Sequence, residues 1–376
     1  MAIGESIIFT QESRMQLDDL LMEICEEVQL SPDRHGLADQ RYETMNRLLE
    51  GDSSPFRDFA PKIYPQGSMA LGTTVKPLEG PHDLDFVLEL GYPQPGGKPI
   101  TLLLELFGFL KSNGIYTDMT ELKNRCVRVT YANDFYMDIL PACRDAISGG
   151  SCLLVPDRST LTWTPSNPRG YIQWFRTRAE SRRQDLVAKA KPIPAHETVE
   201  EKLPLQLAVQ LLKRWRDLHF SDKDRAPISI VLTTLAADCY AGEQYVSEAM
   251  SAILDGIVHR IEFADSRGIR LAVINPSNPK ENFAEKWQSN GGYEYFKAGI
   301  LKLRAEWGAI ISGRRDINKP LEGLFGEYVN KALVKQANRI QEARMAGALA
   351  VNSAGVITGL GRTVTKVRPN IFHGDD

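Results

Sequence analysis

Two aspartates one residue apart, Asp83 and Asp85, open the apolar run HDLDFVLEL (82–90). Apolar residues that alternate with polar ones predict a β-strand, and a strand places residues i and i+2 on the same face. Two carboxylates on one face repel each other unless a positive charge lies between them. A hard divalent cation such as Mg²⁺ fits that position, because it prefers oxygen ligands and leaves sites open for phosphate oxygens. The run therefore predicts a strand whose polar face holds a metal ion.

A third carboxylate, Asp138, lies between two apolar residues in another run with strand character. An isolated acid in such a run is costly unless it is paired or bound to a metal, so Asp138 is a candidate to complete the site. Each aspartate alone also has an ordinary explanation. Asp83 is compatible with a turn cap, and Asp85 with a solvated strand position. Asp138 is compatible with an ion pair to Arg125 or Arg128. The combination of the three favours the metal site.

The stretch QGSMALGTTVKPLEGPHDLD places a Gly-Ser pair ahead of the aspartates. Gly67 and Ser68 follow a short segment with strand character. A Gly-Ser turn in this position presents backbone N–H groups and a hydroxyl that suit phosphate oxygens. Without the aspartates, an ordinary turn would be the better interpretation. The segment between Ser68 and Asp83 (called the insert) carries Lys76 and His82 close to the same region.

Apolar periodicity and β-branched runs predict the secondary structure. Predicted helices cover residues 11–29, 37–50, 100–113, 171–191, 199–220, 228–241, 243–263 and 281–305. The helix over 199–220 is expected to be interrupted near Pro204. Predicted strands cover residues 62–64, 85–90, 125–131, 135–142 and 271–274. A helix separates the first two long strands and the last two long strands are close enough for a hairpin, which implies a mixed sheet. The fold class is therefore α+β, with a helical second part.

Composition excludes several other classes of protein. The chain has 376 residues, of which 43% are hydrophobic and 25% charged, as expected of a globular protein with a large core. A net charge of −3 gives no general attraction to nucleic acid or anionic membrane. The cysteines form no CxxC motif, so neither a disulfide framework nor a zinc site is expected. Since no run of about 18 apolar residues and no signal-peptide pattern is present, a cytoplasmic location is expected.

The Gly-Ser turn, the aspartate pair and the later single aspartate resemble the signature of the DNA polymerase β-type nucleotidyltransferase superfamily. Three further segments are similar to the CD-NTases, the bacterial cGAS/DncV-like nucleotidyltransferases of CBASS anti-phage systems. These segments are QLLKRWRD (210–217), APISIVLTTLA (226–236) and VINPSNPKENF (273–283). No zinc ribbon of the cGAS kind is present, which favours a bacterial enzyme.

This resemblance implies a bilobed fold with a central cleft. Residues 1–165 would form a polymerase β-like nucleotidyltransferase lobe, a mixed sheet with helices, and the N-terminal helices would pack across both lobes. Residues 166–345 would form a mainly helical lobe like the C-terminal domain of oligoadenylate synthases, and residues 346–376 a flexible tail.

The resemblance also implies roles for individual residues. Lys213 and Ser229 match family positions that contact the triphosphate, whereas Asn275 and Asn282 match positions with a structural role. The expected catalytic and metal-binding residues are Asp83, Asp85 and Asp138, and the expected nucleotide-binding residues are Gly67, Ser68, Lys213 and Ser229. The implied cofactor is a pair of Mg²⁺ ions, for which Mn²⁺ can substitute.

The implied activity joins nucleoside triphosphates, ATP and GTP, into a cyclic oligonucleotide second messenger and releases pyrophosphate. A cyclic dinucleotide such as a cyclic GMP-AMP isomer is the expected product, with a role in anti-phage defence. The expected partners are the NTP substrates and CBASS effector or regulatory proteins, without a membrane and without stable nucleic-acid binding; the oligomeric state is open. Two alternatives also remain open. One is a linear RNA-tailing or substrate-modifying nucleotidyltransferase, and the other is a catalytically inactive nucleotide-binding regulator.

Overall fold

Two helices, α1 (Gln11–Val28) and α2 (Pro32–Glu50), begin the computed structural model. Helix α2 starts before the predicted residue 37, because Ser31 Oγ accepts a hydrogen bond from Arg34 N at 3.4 Å and caps the first turn. The structure describes residues 11–93, 98–132, 134–180, 196–287, 291–312, 317–346, 350–352, 357–358 and 364–366.

A mixed sheet occupies the part of the chain that follows α2. Its elements are β1 (Lys62–Pro65), α3 (Gly67–Leu71), β2 (His82–Pro93), α4 (Pro99–Ser112), β3 (Thr120–Leu122), β4 (Val127–Tyr131), β5 (Phe135–Arg144), β6 (Leu153–Asp157) and β7 (Thr162–Ser166). The strand order is β1-β2-β5-β4-β3, and β6 continues from the end of β5 to β7. Strands β2 and β5 are parallel, and the other neighbours are antiparallel. The predicted mixed sheet is confirmed, whereas the β6–β7 hairpin was not predicted.

One face of this sheet is covered by α2 and α4. Leu103 and Leu106 of α4 pack with Leu84 and Phe86 of β2, and all four side chains are fully buried. Because side chains alternate along a strand, the odd-numbered residues of β2 lie on the opposite face. That face is the one on which a polar site can form.

The second part of the chain is helical. Its elements are α5 (Pro168–Ala179), α6 (Pro204–His219), α7 (Ser229–Cys239), α8 (Val246–Ser266), the hairpin of β8 (Ile274–Asn275) and β9 (Asn278–Asn282), α9 (Gly292–Ile311), α10 (Asn318–Phe325) and α11 (Glu327–Met345). Their apolar faces form a second core that includes Trp215, Phe296 and Trp307.

Two predicted helices have different limits in the structure. The helix predicted over 171–191 ends at Ala179, and residues 181–191 lie outside the described part of the chain. The segment predicted as a helix over 199–220, with an interruption near Pro204, is helical only from Pro204 to His219. Proline has no N–H for the interior of a helix, but it fits the first helical position.

The prediction was wrong over residues 271–286. The predicted strand 271–274 is reduced to Ile274–Asn275, and the start of the helix predicted over 281–305 is occupied by β9 and a turn. The physical reason is the side chain of Asn282, whose Oδ1 accepts hydrogen bonds from Val273 N and Ala284 N, each at 3.0 Å. Such local bonds compete with helix formation.

Helices α10 and α11 were not predicted. Helix α11 packs along α1, and Lys335 forms an ion pair with Glu26 at 2.7 Å. Beyond α11, residues 350–352, 357–358 and 364–366 form a three-stranded sheet, β10 to β12. Most of the predicted flexible tail, 346–376, lies outside the described residues, so its flexibility stays a prediction.

The two N-terminal helices contribute to different cores. Leu17 and Ile24 of α1 belong to the helical core, whereas Tyr42 and Met45 of α2 belong to the sheet core. The division of the chain at residue 165 stays a prediction. No helix within the described ranges is both long and apolar enough to cross a bilayer.

Candidate active site

Strands β2 and β5 bring the three predicted aspartates together. Asp83 and Asp85 lie on the face of β2 that points away from the sheet core. The parallel register of β2 and β5 pairs Asp85 directly with Asp138. Residues paired in this way share a face, so the carboxylates form a row across two neighbouring strands.

The three carboxylates differ in their surroundings. The side chain of Asp83 is 65% exposed, and that of Asp138 is 16% exposed. Burial, followed by the charges of Asp138 and Asp83, raises the pKa of Asp85 to about 7. Burial also raises the pKa of Asp83, although the charge of Arg128 opposes the shift. The raised pKa values indicate that the carboxylate row favours an added positive charge.

Gly67 fits this site because it has no side chain. Its φ of +57° is a left-handed conformation, and a Cβ at this position would lie 2.6 Å from Asp85 Oδ2. The preceding residue fixes the turn against the strand, since Gln66 N donates a hydrogen bond to the carbonyl oxygen of Asp85 at 2.8 Å. The structure thus places Gly67 in contact with the Asp85 carboxylate. Ser68 follows at the start of α3, and its Oγ accepts a hydrogen bond from Thr74 Oγ1 at 3.4 Å.

Helix α6 anchors the insert between Ser68 and Asp83. Lys213 is 5% exposed, and its Nζ donates hydrogen bonds to the carbonyl oxygen and the Oγ1 of Thr73 at 2.9 and 3.0 Å. One turn earlier, Gln210 Nε2 donates to the carbonyl oxygen of Thr74 at 2.7 Å. Burial, followed by the charge of Arg216, lowers the pKa of Lys213 to about 7. The insert is therefore a fixed wall of the site.

A cavity of about 630 Å³ lies at this junction of sheet, insert and helices. This volume is within the usual range for small-molecule sites. Six of the seven predicted site residues line it: Gly67, Ser68, Asp83, Asp85, Lys213 and Ser229. Asp138 is not part of the lining, although it lies beside Asp85 on the next strand. His82 of the insert also lines the cavity, and burial lowers its pKa to about 4, so it is neutral at pH 7.

Two cationic residues of the cavity were not identified from the sequence. Arg216 lines the cavity and donates a hydrogen bond from its guanidinium to Ser229 Oγ. Lys223, in the loop after α6, lines it as well. The signal for Arg216 was present in QLLKRWRD, because residues three apart lie on one face of a helix and Lys213 had already been assigned to the site.

Arg128 occupies the space beside the carboxylate row. Its Nε and one terminal nitrogen donate to the two carboxylate oxygens of Asp138, each at 2.7 Å, and the same terminal nitrogen lies 3.4 Å from Asp83 Oδ1. Of the two ion pairs considered from the sequence, the one with Arg128 is formed. Arg125 instead binds Asp157 at 2.7 Å.

The donor set suits a divalent cation, because it offers three carboxylates that are oxygen donors and have an excess of negative charge. As they are arranged, however, no group of three or more acidic, histidine or cysteine side chains within the described residues is close enough to hold a metal ion. Both oxygens of Asp138 are bound to Arg128. The carboxylates are therefore of the chemical type that binds a divalent cation, and in the present arrangement Asp138 is bound to Arg128.

The two asparagines of VINPSNPKENF have a structural role, as predicted. Asn275 Oδ1 accepts a hydrogen bond from Ser277 N at 2.9 Å, and Asn282 caps the turn described above. Asn278 of the same segment donates to the carbonyl oxygen of Pro165 at 3.0 Å, so the hairpin joins the helical part to β7.

A mixed sheet with this carboxylate row and Gly-Ser turn, next to a helical core, defines a nucleotidyltransferase of the polymerase β-like fold. Residues 15–179 match the family described as the Second Messenger Oligonucleotide or Dinucleotide Synthetase domain. The chain is 33% identical over 383 residues to c-di-GMP synthase of Roseivirga ehrenbergii, across 98% of this chain and 100% of that protein. The chain belongs to the CD-NTase family and is a nucleotidyltransferase of the group that contains cyclic dinucleotide synthases.

Solved structures agree with this assignment. The chain is 27% identical to the cyclic dinucleotide synthase CdnG of Bradyrhizobium diazoefficiens, across 86% of this chain and 83% of that protein. The structure of CdnG in complex with GTP superposes with a TM-score of 0.71 at 26% identity, over 85% of this chain and 98% of the other. DncV of Vibrio cholerae, at 15% identity and a TM-score of 0.54 over 84% of this chain and 87% of the other, shares the fold.

Proposed function

We propose that the protein joins two nucleoside triphosphates, at least one of them GTP, into a cyclic dinucleotide and releases pyrophosphate. The observation that carries this proposal is a single cavity that combines acidic side chains of β2 with basic side chains of α6 and a hydroxyl of α7. Nucleotidyl transfer requires mainly that two substrates are positioned and that phosphate charge is neutralised. The residue types of this cavity supply both.

The carboxylate row would hold the metal ions. Asp83, Asp85 and Asp138 would bind two Mg²⁺ ions, for which Mn²⁺ can substitute. When bound, such ions neutralise phosphate charge and lower the pKa of the acceptor hydroxyl. Burial and the neighbouring aspartates raise the pKa of Asp85 to about 7 although the charges of Lys213 and Arg128 oppose the shift, so its carboxylate gains from a further positive charge.

The remaining site residues would bind and orient the substrates. Gly67 keeps the backbone of the turn close to Asp85, and Ser68 offers its hydroxyl to a phosphate oxygen. Lys213 and Ser229 would bind the β- and γ-phosphates through charge-assisted hydrogen bonds, with Arg216 beside Ser229.

In the first step, the ribose hydroxyl of one nucleotide attacks the α-phosphate of the other. The new P–O bond forms as the bond to the β-phosphate breaks, and pyrophosphate leaves. Asp138 lies beside Asp85 and would accept the proton of the attacking hydroxyl. A second attack of the same kind, after the linear intermediate turns round in the cavity, closes the ring.

The relatives favour GTP as the substrate. One is named c-di-GMP synthase, and the structure of CdnG contains GTP. We therefore propose c-di-GMP as the main product. The cyclic GMP-AMP isomer expected from the sequence is the second candidate, and it requires ATP as the other substrate. A place in anti-phage signalling, with effector or regulatory proteins as partners, is part of this proposal.

The experiment is an incubation with Mg²⁺ and GTP alone, ATP alone, or both, followed by phosphatase treatment and mass spectrometry. A phosphatase-resistant c-di-GMP from GTP alone is the expected result. A mixed product that appears only with both nucleotides would identify the product as a cyclic GMP-AMP isomer instead of c-di-GMP. Linear, phosphatase-sensitive products would favour the tailing enzyme instead, and an absence of NTP turnover would favour the inactive regulator.

A further inference from the structure

Arg128 faces the carboxylate row because of the strand register. The antiparallel pairing of β4 with β5 places Arg128 directly opposite Asp138, and the parallel pairing of β5 with β2 places Asp138 opposite Asp85. The three side chains thus form one line across three strands. A guanidinium in this line can reach both Asp138 and Asp83, as the hydrogen bonds described above show.

The guanidinium is held on several sides. Two parallel hydrogen bonds of 2.7 Å to Asp138 give the bidentate geometry that is strongest for an arginine and a carboxylate. The ring of Tyr136 lies under the guanidinium, with 4.5 Å between the guanidinium carbon and the ring centroid. The side chains of Arg128 and Asp138 are only 23% and 16% exposed. This contact is therefore more than a surface ion pair, which contributes little on average.

The same contact blocks the third metal ligand. Both carboxylate oxygens of Asp138 are occupied by nitrogen donors of Arg128, and the guanidinium also lies between Asp138 and Asp83. A metal ion held by Asp138 would compete with the guanidinium for the same carboxylate oxygens. Two positive charges so close together repel each other.

We propose that Arg128 is a positioning residue that takes the place of a metal ion in the nucleotide-free enzyme, and that full metal binding requires its guanidinium to leave Asp138. This inference rests on the proposed metal site. The guanidinium preorients Asp138 and neutralises it while no metal is bound. Phosphate oxygens of a bound nucleotide offer the guanidinium a new bidentate partner, so nucleotide and metal ions bind together.

The test measures Mn²⁺ binding without nucleotide, by electron paramagnetic resonance of the free ion. The variants are Arg128→Met, Arg128→Lys and the control Arg125→Met, which removes the neighbouring arginine that binds Asp157. Arg128→Met should bind Mn²⁺ about tenfold more tightly than the wild type, or more, since one bidentate charged contact no longer competes. The Mn²⁺ affinity of Arg128→Lys should lie between those of the wild type and Arg128→Met, and the Mn²⁺ affinity of Arg125→Met should equal that of the wild type.

Thermal unfolding gives a second measurement. In EDTA, Arg128→Met should unfold at a lower temperature than the wild type, because Asp138 loses its partner beside two other carboxylates. Mn²⁺ should then raise its unfolding temperature more than that of the wild type. If Arg128→Met does not fold, Arg128→Lys carries the test, since it keeps the charge but not the two parallel hydrogen bonds.

Equal nucleotide-free Mn²⁺ affinity in the wild type and the Arg128 variants would overturn the role of Arg128 and leave the metal site intact. The metal site is tested separately. Mn²⁺ binding is measured in the presence of a non-hydrolysable GTP analogue, and the wild type is compared with Asp83→Asn/Asp85→Asn. If the wild type and the Arg128 variants bind no Mn²⁺ even with that analogue, both proposals are overturned.

Discussion

At the scale of single residues, Gly67 and Asp85 constrain each other. The sequence predicted Gly67 as a place where backbone approaches phosphate, and the structure adds a second reason for glycine. The Asp85 carboxylate fills the space that a side chain at Gly67 would need, 2.6 Å from the position of a Cβ. The left-handed φ at Gly67 and the placement of a predicted metal ligand are therefore linked.

Gly67→Ala should displace the Asp85 carboxylate and abolish most of the activity. The matched control is Gly268→Ala, which has a similar φ of +65° but no atom within 4 Å of the added Cβ. Both variants should lose about 1–2 kcal/mol of unfolding free energy, the cost of a left-handed conformation for alanine. Only Gly67→Ala should lose cyclic dinucleotide synthesis. Equal activity of the two variants would show that the contact with Asp85 has no catalytic consequence.

The arginine partner of Asp138 could not be predicted from the sequence. Asp138, Arg125 and Arg128 were identified together, but the choice between the two arginines depends on the register of β4 against β5. That register pairs Arg128 with Asp138. Register is set by contacts along whole strands, so it could not be read from the three residues alone.

At the scale of elements, helix α6 fixes the insert that forms one wall of the cavity. Gln210, Lys213 and Arg214 all donate hydrogen bonds to carbonyl oxygens of the insert. The insert continues through Val75, Pro77 and Leu78, which line the cavity. The sequence alone did not explain the length of the insert. In the structure, the insert runs from the Gly-Ser turn across the face of α6 to β2.

Gln210→Leu tests this anchoring. Gln210 is fully buried and donates to the carbonyl oxygen of Thr74 at 2.7 Å, so its loss leaves that oxygen unpaired. The unfolding free energy should fall by about 1–3 kcal/mol, and the KM for GTP should rise severalfold because the cavity wall moves. The control is Gln173→Leu, an exposed glutamine of α5. An unchanged KM in Gln210→Leu would separate the anchoring of the insert from nucleotide binding.

The elements that the sequence predicted best are those with a regular apolar pattern within their own residues. Strands β2 and β5 alternate or run apolar over many residues, and α6 has a clear apolar face. Strand β7, TWTPS, has neither pattern and is defined by its pairing with β6. Helix α11 buries only Tyr328, Val329 and Ala332, and its packing partner α1 lies about 300 residues earlier in the chain.

At the scale of the whole molecule, the site joins parts of the chain that are far apart in sequence. The Gly-Ser turn and the aspartates lie in α3 and in the sheet, whereas Lys213, Arg216 and Ser229 lie on α6 and α7 of the helical part. Their assembly in one cavity could be predicted only through the family resemblance, because spacing alone does not give the packing of helices against a sheet. Lys223 was missed for the same reason, whereas Arg216 follows Lys213 by three residues on one face of α6 and could have been inferred from that spacing.

We propose that this cavity performs metal-dependent nucleotidyl transfer through the carboxylates of β2. The most direct measurement is pyrophosphate release and cyclic dinucleotide formation from GTP and ATP with Mg²⁺ by the double variant Asp83→Asn/Asp85→Asn. The control is Asp52→Asn/Asp58→Asn, which removes two negative charges from exposed positions. The site variant should lose activity by about a thousandfold or more while remaining folded, and the control should keep it. Wild-type rates in the folded site variant would show that the carboxylates of β2 are not required for nucleotidyl transfer.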